Sequence, residues 1–232
     1  MYCNYLELSN MLFECEDHEY YRGETCPVCG EKGKFLMNDR ELNSLSRIIA
    51  GALRHFPDKL QLDMDGHGWV EISQLIRAIG TSRSGFNWLR LHHIQALVAT
   101  DMRSRYQIDG GMIRAKYGHS IDVNLDDLPL AEEDEYFYPV TEEEADIVLE
   151  NGINPIDRKK VHLSTTVEKA VEAGSVRSDH PLVLRVDGVK ARNEGVEIYQ
   201  ASSHVCVTES IGADFLSKVD DKVVDKILKE KH

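Results

Sequence analysis

At 232 residues the chain is too long for one small domain and too short for three large ones, so two domains plus a small module are expected. Its hydrophobic content of 42% is ordinary for a globular chain, and no run approaches the roughly 20 apolar residues of a membrane helix. The net charge of −13 speaks against avid binding to a long duplex, which needs a basic face. The acid is unevenly spread, however. Residues 41–130 hold ten Lys/Arg against ten Asp/Glu, whereas residues 131–150 hold nine Asp/Glu and no Lys/Arg. A few placed arginines are therefore enough to grip a single phosphate. The opening Met1-Tyr2-Cys3-Asn4 lacks the basic and apolar regions of a signal peptide, and a cytoplasmic location is expected.

The first block, residues 1–37, carries four of the five cysteines: Cys3, Cys15, Cys26 and Cys29. An odd, clustered set points to metal rather than to a disulfide framework. Cys15-Glu16-Asp17-His18 is followed by Cys26-Pro27-Val28-Cys29-Gly30, two knuckles that can close on one tetrahedral zinc. The expected ligands are Cys15, His18, Cys26 and Cys29, with Cys3 the alternative to His18. Four protein ligands make such a site structural. Cys206 falls in a strand run and reads as a core residue.

In the second block, residues 38–127, Leu45, Ile48, Ile49, Ala52 and Leu53 recur at helical spacing. Asn43 or Ser44 is the expected cap, and Pro57 the stop. Trp69–Ile72 reads as an extended piece, with a helix capped by Ser73 running through Ile79. A further helix is expected over Trp88–Ala99. Tyr106–Ile108 and Met112–Arg114 around Asp109-Gly110-Gly111 form a hairpin signal. Three helices and a hairpin suggest a winged helix. Residues 128–136 read as an acidic linker.

The third block opens with a strand at Phe137–Val140 and a helix over Glu142–Glu150 ended by Asn151-Gly152. Val161–Ser164, Leu182–Val186, Glu197–Gln200 and Val205–Thr208 are strand runs. Helices are expected over Val167–Ala173 and Ala213–Lys229. The pattern is α+β, without the alternation of a doubly wound sheet.

Arginines and histidines recur in these acid-rich segments. Leu53-Arg54-His55 ends the first long helix, and Arg103-Ser104-Arg105-Tyr106 leads into the hairpin. Arg114 to His119-Ser120 follows its turn, and Arg158 leads into Val161-His162-Leu163-Ser164, where His162 and Ser164 share a face. Each alone fits a solvated surface. Together they form a set able to converge on one phosphate, since arginine offers paired donors and histidine a titratable one. The two commonest nucleotide-binding glycine motifs are absent.

These pieces, in this order, resemble the tRNA 2′-phosphotransferases. The resemblance runs from about Leu45 to Thr208 through Leu53-Arg54-His55, Gly68-Trp69-Val70, Arg105-Tyr106, Ile113-Arg114-Ala115 with Gly118-His119-Ser120, and Arg158 with Val161-His162-Leu163-Ser164. The cysteine knuckles lie outside it and are similar to an extension of archaeal members. The resemblance implies a winged-helix lobe (38–127) and an ADP-ribosyltransferase-like lobe (128–232) behind a zinc ribbon (1–37). It implies transfer of an internal RNA 2′-phosphate to NAD, through a 2′-phospho-ADP-ribosylated RNA. Nicotinamide and ADP-ribose 1″,2″-cyclic phosphate are released, and no metal acts in the chemistry.

Arg54, His55, Arg105 and Arg158 match the family's essential residues and are expected to surround one phosphate. Tyr138, His162, Ser164 and Arg177 are the implied NAD contacts, and His119 and Ser120 the implied substrate contacts. Tyr138-Pro139-Val140 stands where many members carry His-Gly-Thr, and Pro139 removes a backbone N–H. The implied substrate is a tRNA carrying an internal 2′-phosphate, and a monomer without membrane attachment is expected. Two other readings are an ADP-ribosyltransferase acting on another RNA phosphate end or on protein, and a nucleic-acid-binding regulator built from a zinc ribbon and a winged helix.

Overall fold

The computed structural model describes residues 11–230, so Cys3 and the N-terminal residues read above lie outside the described residues. The chain packs as two units that divide between Ala115 and Lys116. Among the described residues no helix is long and apolar enough to cross a membrane. The architecture is mixed α/β.

The first unit opens with three short antiparallel strands, β1 (Leu12–Cys15), β2 (Glu19–Arg22) and β3 (Lys34–Met37), in the order β2-β1-β3. Helix α1 (Asp39–Arg54) starts four to five residues before the expected caps. Asn38 caps it instead: its side chain accepts from the Glu41 N–H and the Glu41 carboxylate takes the Asn38 N–H, each at 2.9 Å. This reciprocal box satisfies two amides that the helix leaves open, so Asn43 and Ser44 lie inside the helix. Leu42, Leu45, Ile49, Ala52 and Leu53 form its buried stripe. It ends at His55, and Pro57 opens a 3-10 turn through Leu60.

The chain continues through β4 (Val70–Glu71), α2 (Ile72–Ser82), a 3-10 turn at Ser84–Phe86 and α3 (Leu91–Ala99). Helix α3 begins three residues later than expected. The hairpin of β5 (Tyr106–Asp109) and β6 (Met112–Ala115) follows, in a sheet ordered β4-β6-β5. Gly110 and Gly111 both hold positive φ, 52° and 84°, which this turn needs and a side chain resists.

Leu12 and Met37 of the small sheet are fully buried in one cluster with Leu45, Leu53, Ile79, Ile94 and Ile113. Each such side chain stabilises the unit by about 1.5–3 kcal/mol. The cysteine-bearing strands are thereby part of the first unit's core.

His93 in α3 is buried beside the edge of Trp88, and its Nδ1 accepts the Arg90 N–H at 3.0 Å. Burial, then the neighbouring His92, pushes it down to about 4. A base depressed when folded contributes stability that is complete above its unfolded pKa of about 6.5 and is lost as pH falls toward 4. The first unit is therefore expected to weaken by up to about 3 kcal/mol across that window. Urea unfolding of wild type and His93→Gln at stepped pH checks this, since the glutamine keeps an acceptor and removes the titration.

The second unit contains β7 (Glu135–Val140), α4 (Glu142–Asn151), β8 (Val161–Ser164), α5 (Val167–Gly174), β9 (Leu182–Asp187), α6 (Gly188–Asn193), β10 (Tyr199–Gln200), β11 (Val205–Thr208), a 3-10 turn (Ala213–Phe215), β12 (Leu216–Lys218) and α7 (Asp221–Glu230). Its antiparallel six-stranded sheet runs β10-β11-β8-β7-β9-β12. Tyr136, Val161, Leu163, Val186 and Cys206 face one apolar cluster. Phe137 and Val183 face another, with Ala170 and Val171 of α5 and Val224 and Ile227 of α7. Burial pushes the Cys206 thiol up to about 12, in keeping with a core residue.

One expectation is corrected here, and one helix is added to those expected. Residues 213–229 are not one helix: Leu216, Ser217 and Lys218 pair with Val186, Arg185 and Leu184, because the open edge of β9 offers a ladder that a helix would leave unfilled. Helix α6 was not foreseen; Asp187 caps it by accepting the Lys190 N–H at 2.8 Å.

Candidate functional site

The β1–β2 turn and the loop after β2 bring Cys15, His18, Cys26 and Cys29 together, with their ligand atoms all within 4.8 Å of one another. Cys15 Sγ lies 3.5 Å from His18 Nδ1 and 3.7 Å from Cys29 Sγ, and Cys26 Sγ lies 3.7 Å from His18 Nδ1. A tetrahedral zinc at its usual bond lengths sets edges of about 3.6–3.8 Å, so these spacings fit such an ion and are far too long for a disulfide. The turn supports the site: the Gly30 N–H donates to the Cys26 carbonyl at 2.9 Å, with Gly30 at φ 76°. The Cys29 and Val28 N–H groups aim at the Cys26 sulfur and bring that thiol down to about 7. Amides that favour thiolate are what a metal ligand needs.

The first unit also gathers cations. Arg54, at the end of α1, lies 6.0 Å from the centre of the Tyr106 ring, and Arg105 lies 5.2 Å from it. The ring anchors the pair, its hydroxyl reaching the Ser46 carbonyl at 3.4 Å. Arg105 is fixed in orientation. Its Nε and Nη2 donate to Asp101 at 2.9–3.1 Å, its Nη2 donates to Ser46 Oγ at 3.0 Å, and its backbone N–H donates to Asp101 Oδ2 at 2.7 Å. Burial works to raise the Asp101 carboxyl, yet the Arg105 hydrogen bonds prevail and hold it below the usual range. His55 is the C-cap of α1, half-buried, with its ring 5.7 Å from Phe56.

Asp101 and Ser46 escaped the sequence reading. Asp101 stands only four residues before Arg105, but nothing in the sequence marks it as buried. Arg22 of β2 belongs to the same neighbourhood: its Nε donates to Thr100 Oγ1 at 3.1 Å, next to Asp101. Arg114 is also buried, 4.5 Å from the centre of the Trp69 ring, with its Nε donating to Gln107 at 3.0 Å. Its contacts tie the hairpin to the Trp69 segment.

In the second unit the segment after Lys116 is pinned by two predicted site residues. The Gly118 N–H donates to His162 Nε2 at 2.9 Å, and Arg158 Nη1 donates to the Gly118 carbonyl at 2.9 Å. The Lys159 N–H donates to the His119 carbonyl at 3.0 Å, and the rings of Tyr117 and His162 meet edge to face. With Nε2 accepting, the His162 proton resides on Nδ1. Gly118 has φ 87°, which a side chain disfavours. His119 is buried and Ser120 exposed. Arg158, His162 and His119 are thus brought together around one glycine peptide, 40 residues apart in sequence for the Arg158–Gly118 contact.

Ser164, paired with Phe137, is buried on the same side of β8 as His162. Tyr138 is not on that side. It packs with Leu163 and Val161 on the opposite apolar cluster, and strand alternation gives Pro139 the face of His162 and Ser164. Burial raises the Tyr138 hydroxyl, and Arg177 acts against this. Arg177 pairs with Glu144 at 3.2 Å and donates to the Pro139 carbonyl at 3.3 Å, so it stands at the end of β7 beside Tyr138 and Pro139.

Comparison with known proteins identifies the family of the chain. A sequence model of the "RNA 2'-phosphotransferase, Tpt1 / KptA family" matches residues 39–210. A "Probable RNA 2'-phosphotransferase 1" of Archaeoglobus fulgidus is 43% identical over 204 residues, covering 88% of this chain and 93% of its own. A "Probable RNA 2'-phosphotransferase" of Methanosarcina mazei is 38% identical over 215 residues, covering 91% and 100%. One of Thermoplasma volcanium is 38% identical over 208 residues, covering 89% and 88%. The matched residues hold the helix end, hairpin and strand described above, and the chain belongs to the RNA 2′-phosphotransferase, Tpt1/KptA family.

Proposed function

We propose that this protein removes an internal 2′-phosphate from RNA using NAD as co-substrate, with tRNA as the substrate class. The observation that carries this reading is the pair of guanidiniums, Arg54 and Arg105, on the Tyr106 ring, one of them locked by a buried carboxylate. A locked guanidinium loses no freedom when a phosphate acquires further negative charge, and this is the source of its catalytic value. Arg54 and Arg105 bind phosphate oxygens. His55 holds a proton at the phosphate or at the attacking hydroxyl. Arg158 is proposed as the third phosphate-binding arginine, as the resemblance implies.

The donor set of the second unit suits a dinucleotide: His162 and Ser164 for amide and ribose hydroxyls, Arg177 for adenosine or pyrophosphate, with His119 and Ser120 toward RNA. Pro139 offers no backbone N–H beside these residues, and Tyr138, turned to the opposite apolar cluster, is left out of the proposed NAD contacts. Bound NAD supplies an activated anomeric carbon and a neighbouring hydroxyl. The order α1, α2, α3 and then the hairpin supports a winged-helix reading of residues 38–127 behind a zinc ribbon at 1–37. The β-rich second unit supports an ADP-ribosyltransferase-like reading of 128–232. We expect zinc at the four-ligand site to be structural, and a monomer located in the cytoplasm.

The test is an RNA bearing one internal 2′-phosphate, incubated with and without NAD. The expected result is RNA with a free 2′-hydroxyl and one nicotinamide per phosphate lost, both dependent on NAD. Phosphate removal that proceeds equally without NAD refutes the reading.

A further inference from the structure

A groove on the first unit, beyond the residues given roles above, carries positive charge. Two adjoining cavities of about 370 and 500 Å³ share Lys59, Leu60 and Ser82. One is completed by Arg77 and Thr81 of α2, the other by Arg83 and by Phe56, the residue directly after His55. Lys59, Arg77 and Arg83 are exposed, and none makes an ion pair with a described carboxylate. No Asp or Glu lines either cavity. Asp63 accepts a hydrogen bond from the Gln74 amide at 2.9 Å and lines neither cavity. In a chain of net charge −13, three unpaired cations along one groove are a selective feature. The C-terminal dipole of α2 accounts for Arg83, not for Lys59 or Arg77. Phe56 adds an exposed ring, 52% accessible, with Lys59 Nζ 4.1 Å from its centre. Cations that follow a path beside an exposed aromatic form a track for single-stranded nucleic acid.

We infer that this groove binds the RNA strand flanking the 2′-phosphate, with Lys59, Arg77 and Arg83 on successive backbone phosphates and Phe56 beneath a base. The inference rests on the proposed function, since it takes RNA as the substrate. It assigns strand affinity to a surface apart from the chemistry, so a minimal substrate that cannot reach the groove is insensitive to it.

The experiment compares wild type with Lys59→Gln/Arg77→Gln/Arg83→Gln in the full chain. Two probes are used: a labelled single-stranded oligonucleotide with one internal 2′-phosphate, and the matching 2′-phosphorylated dinucleotide. Binding by anisotropy over a salt series and turnover with NAD are both read. The triple variant is expected to keep its melting curve and its turnover of the dinucleotide. Its salt dependence on the oligonucleotide should fall by about 2 in log–log slope, at roughly 0.7 per phosphate contact. Its KM for the oligonucleotide should rise about tenfold or more, as expected for loss of several phosphate contacts. Unchanged oligonucleotide binding and slope overturn the inference. So does a loss that appears only as altered self-association in sedimentation, which makes the groove a protein contact. If wild type turns over neither probe yet binds the oligonucleotide through these three residues, the groove stands and the proposed chemistry fails.

Discussion

Arg105→Ala is expected to lower turnover of 2′-phosphorylated RNA by about two to three orders of magnitude, the scale on which one preorganised oxyanion donor acts. The same change removes the partner of Asp101, whose side chain is only 4% exposed. An orphaned buried carboxylate costs about 3–5 kcal/mol, so the alanine variant is expected to be less stable as well as slower. The two effects separate in Asp101→Asn/Arg105→Ala, which removes the unpaired charge and restores stability without restoring turnover. Arg105→Lys keeps the charge but loses the fork that grips Asp101 and Ser46 together, and is expected to recover little activity. The pair also sets an acid limit. The Asp101 carboxyl is depressed in the folded state, so its contribution is present above the unfolded pKa near 3.9 and is lost as pH falls through the folded value. Chemical unfolding beside single-turnover kinetics distinguishes these outcomes.

Metal removal is the second large effect. Purified protein is expected to hold about one zinc, as a four-ligand site requires, and Cys26→Ser to lose it. Binding at such sites is worth on the order of 10 kcal/mol to the folded state of a small metal module. Here Leu12 and Met37 tie the metal-bearing strands to the core of α1, so chelation should lower the melting temperature of the whole first unit. Metal analysis after exhaustive dialysis, beside a thermal melt, provides the check. His18→Ala decides the fourth ligand. If it retains full metal affinity while Cys3→Ser does not, Cys3 takes the place of His18.

What the sequence shows clearly is what depends on local spacing. Val161–Ser164 and Val205–Thr208 are strands with the bounds their alternation gives, and the Asp109-Gly110-Gly111 hairpin follows from turn chemistry alone. The Cys15–His18 and Cys26–Cys29 knuckles converge because short loops permit little else. Features set by distant partners are less legible. Leu216–Lys218 looks helical until the open edge of β9 claims it. Arg105 is visible as a cation before the hairpin, but the buried Asp101 and Ser46 that lock it are not. The resemblance offers Tyr138 and His162 together, whereas a period of two in β7 separates them onto opposite faces and leaves Pro139 in the shared position. The Gly118 peptide held by His162 and Arg158 joins residues more than forty apart in one case and forty in the other, a link beyond any local pattern.

The fate of the phosphorus atom is the most direct measure of the central claim. With radiolabel confined to the RNA 2′-phosphate and NAD in excess, all released label should appear as ADP-ribose 1″,2″-cyclic phosphate. Label released as inorganic phosphate, or retained on RNA in a stable ADP-ribosylated product, contradicts the account.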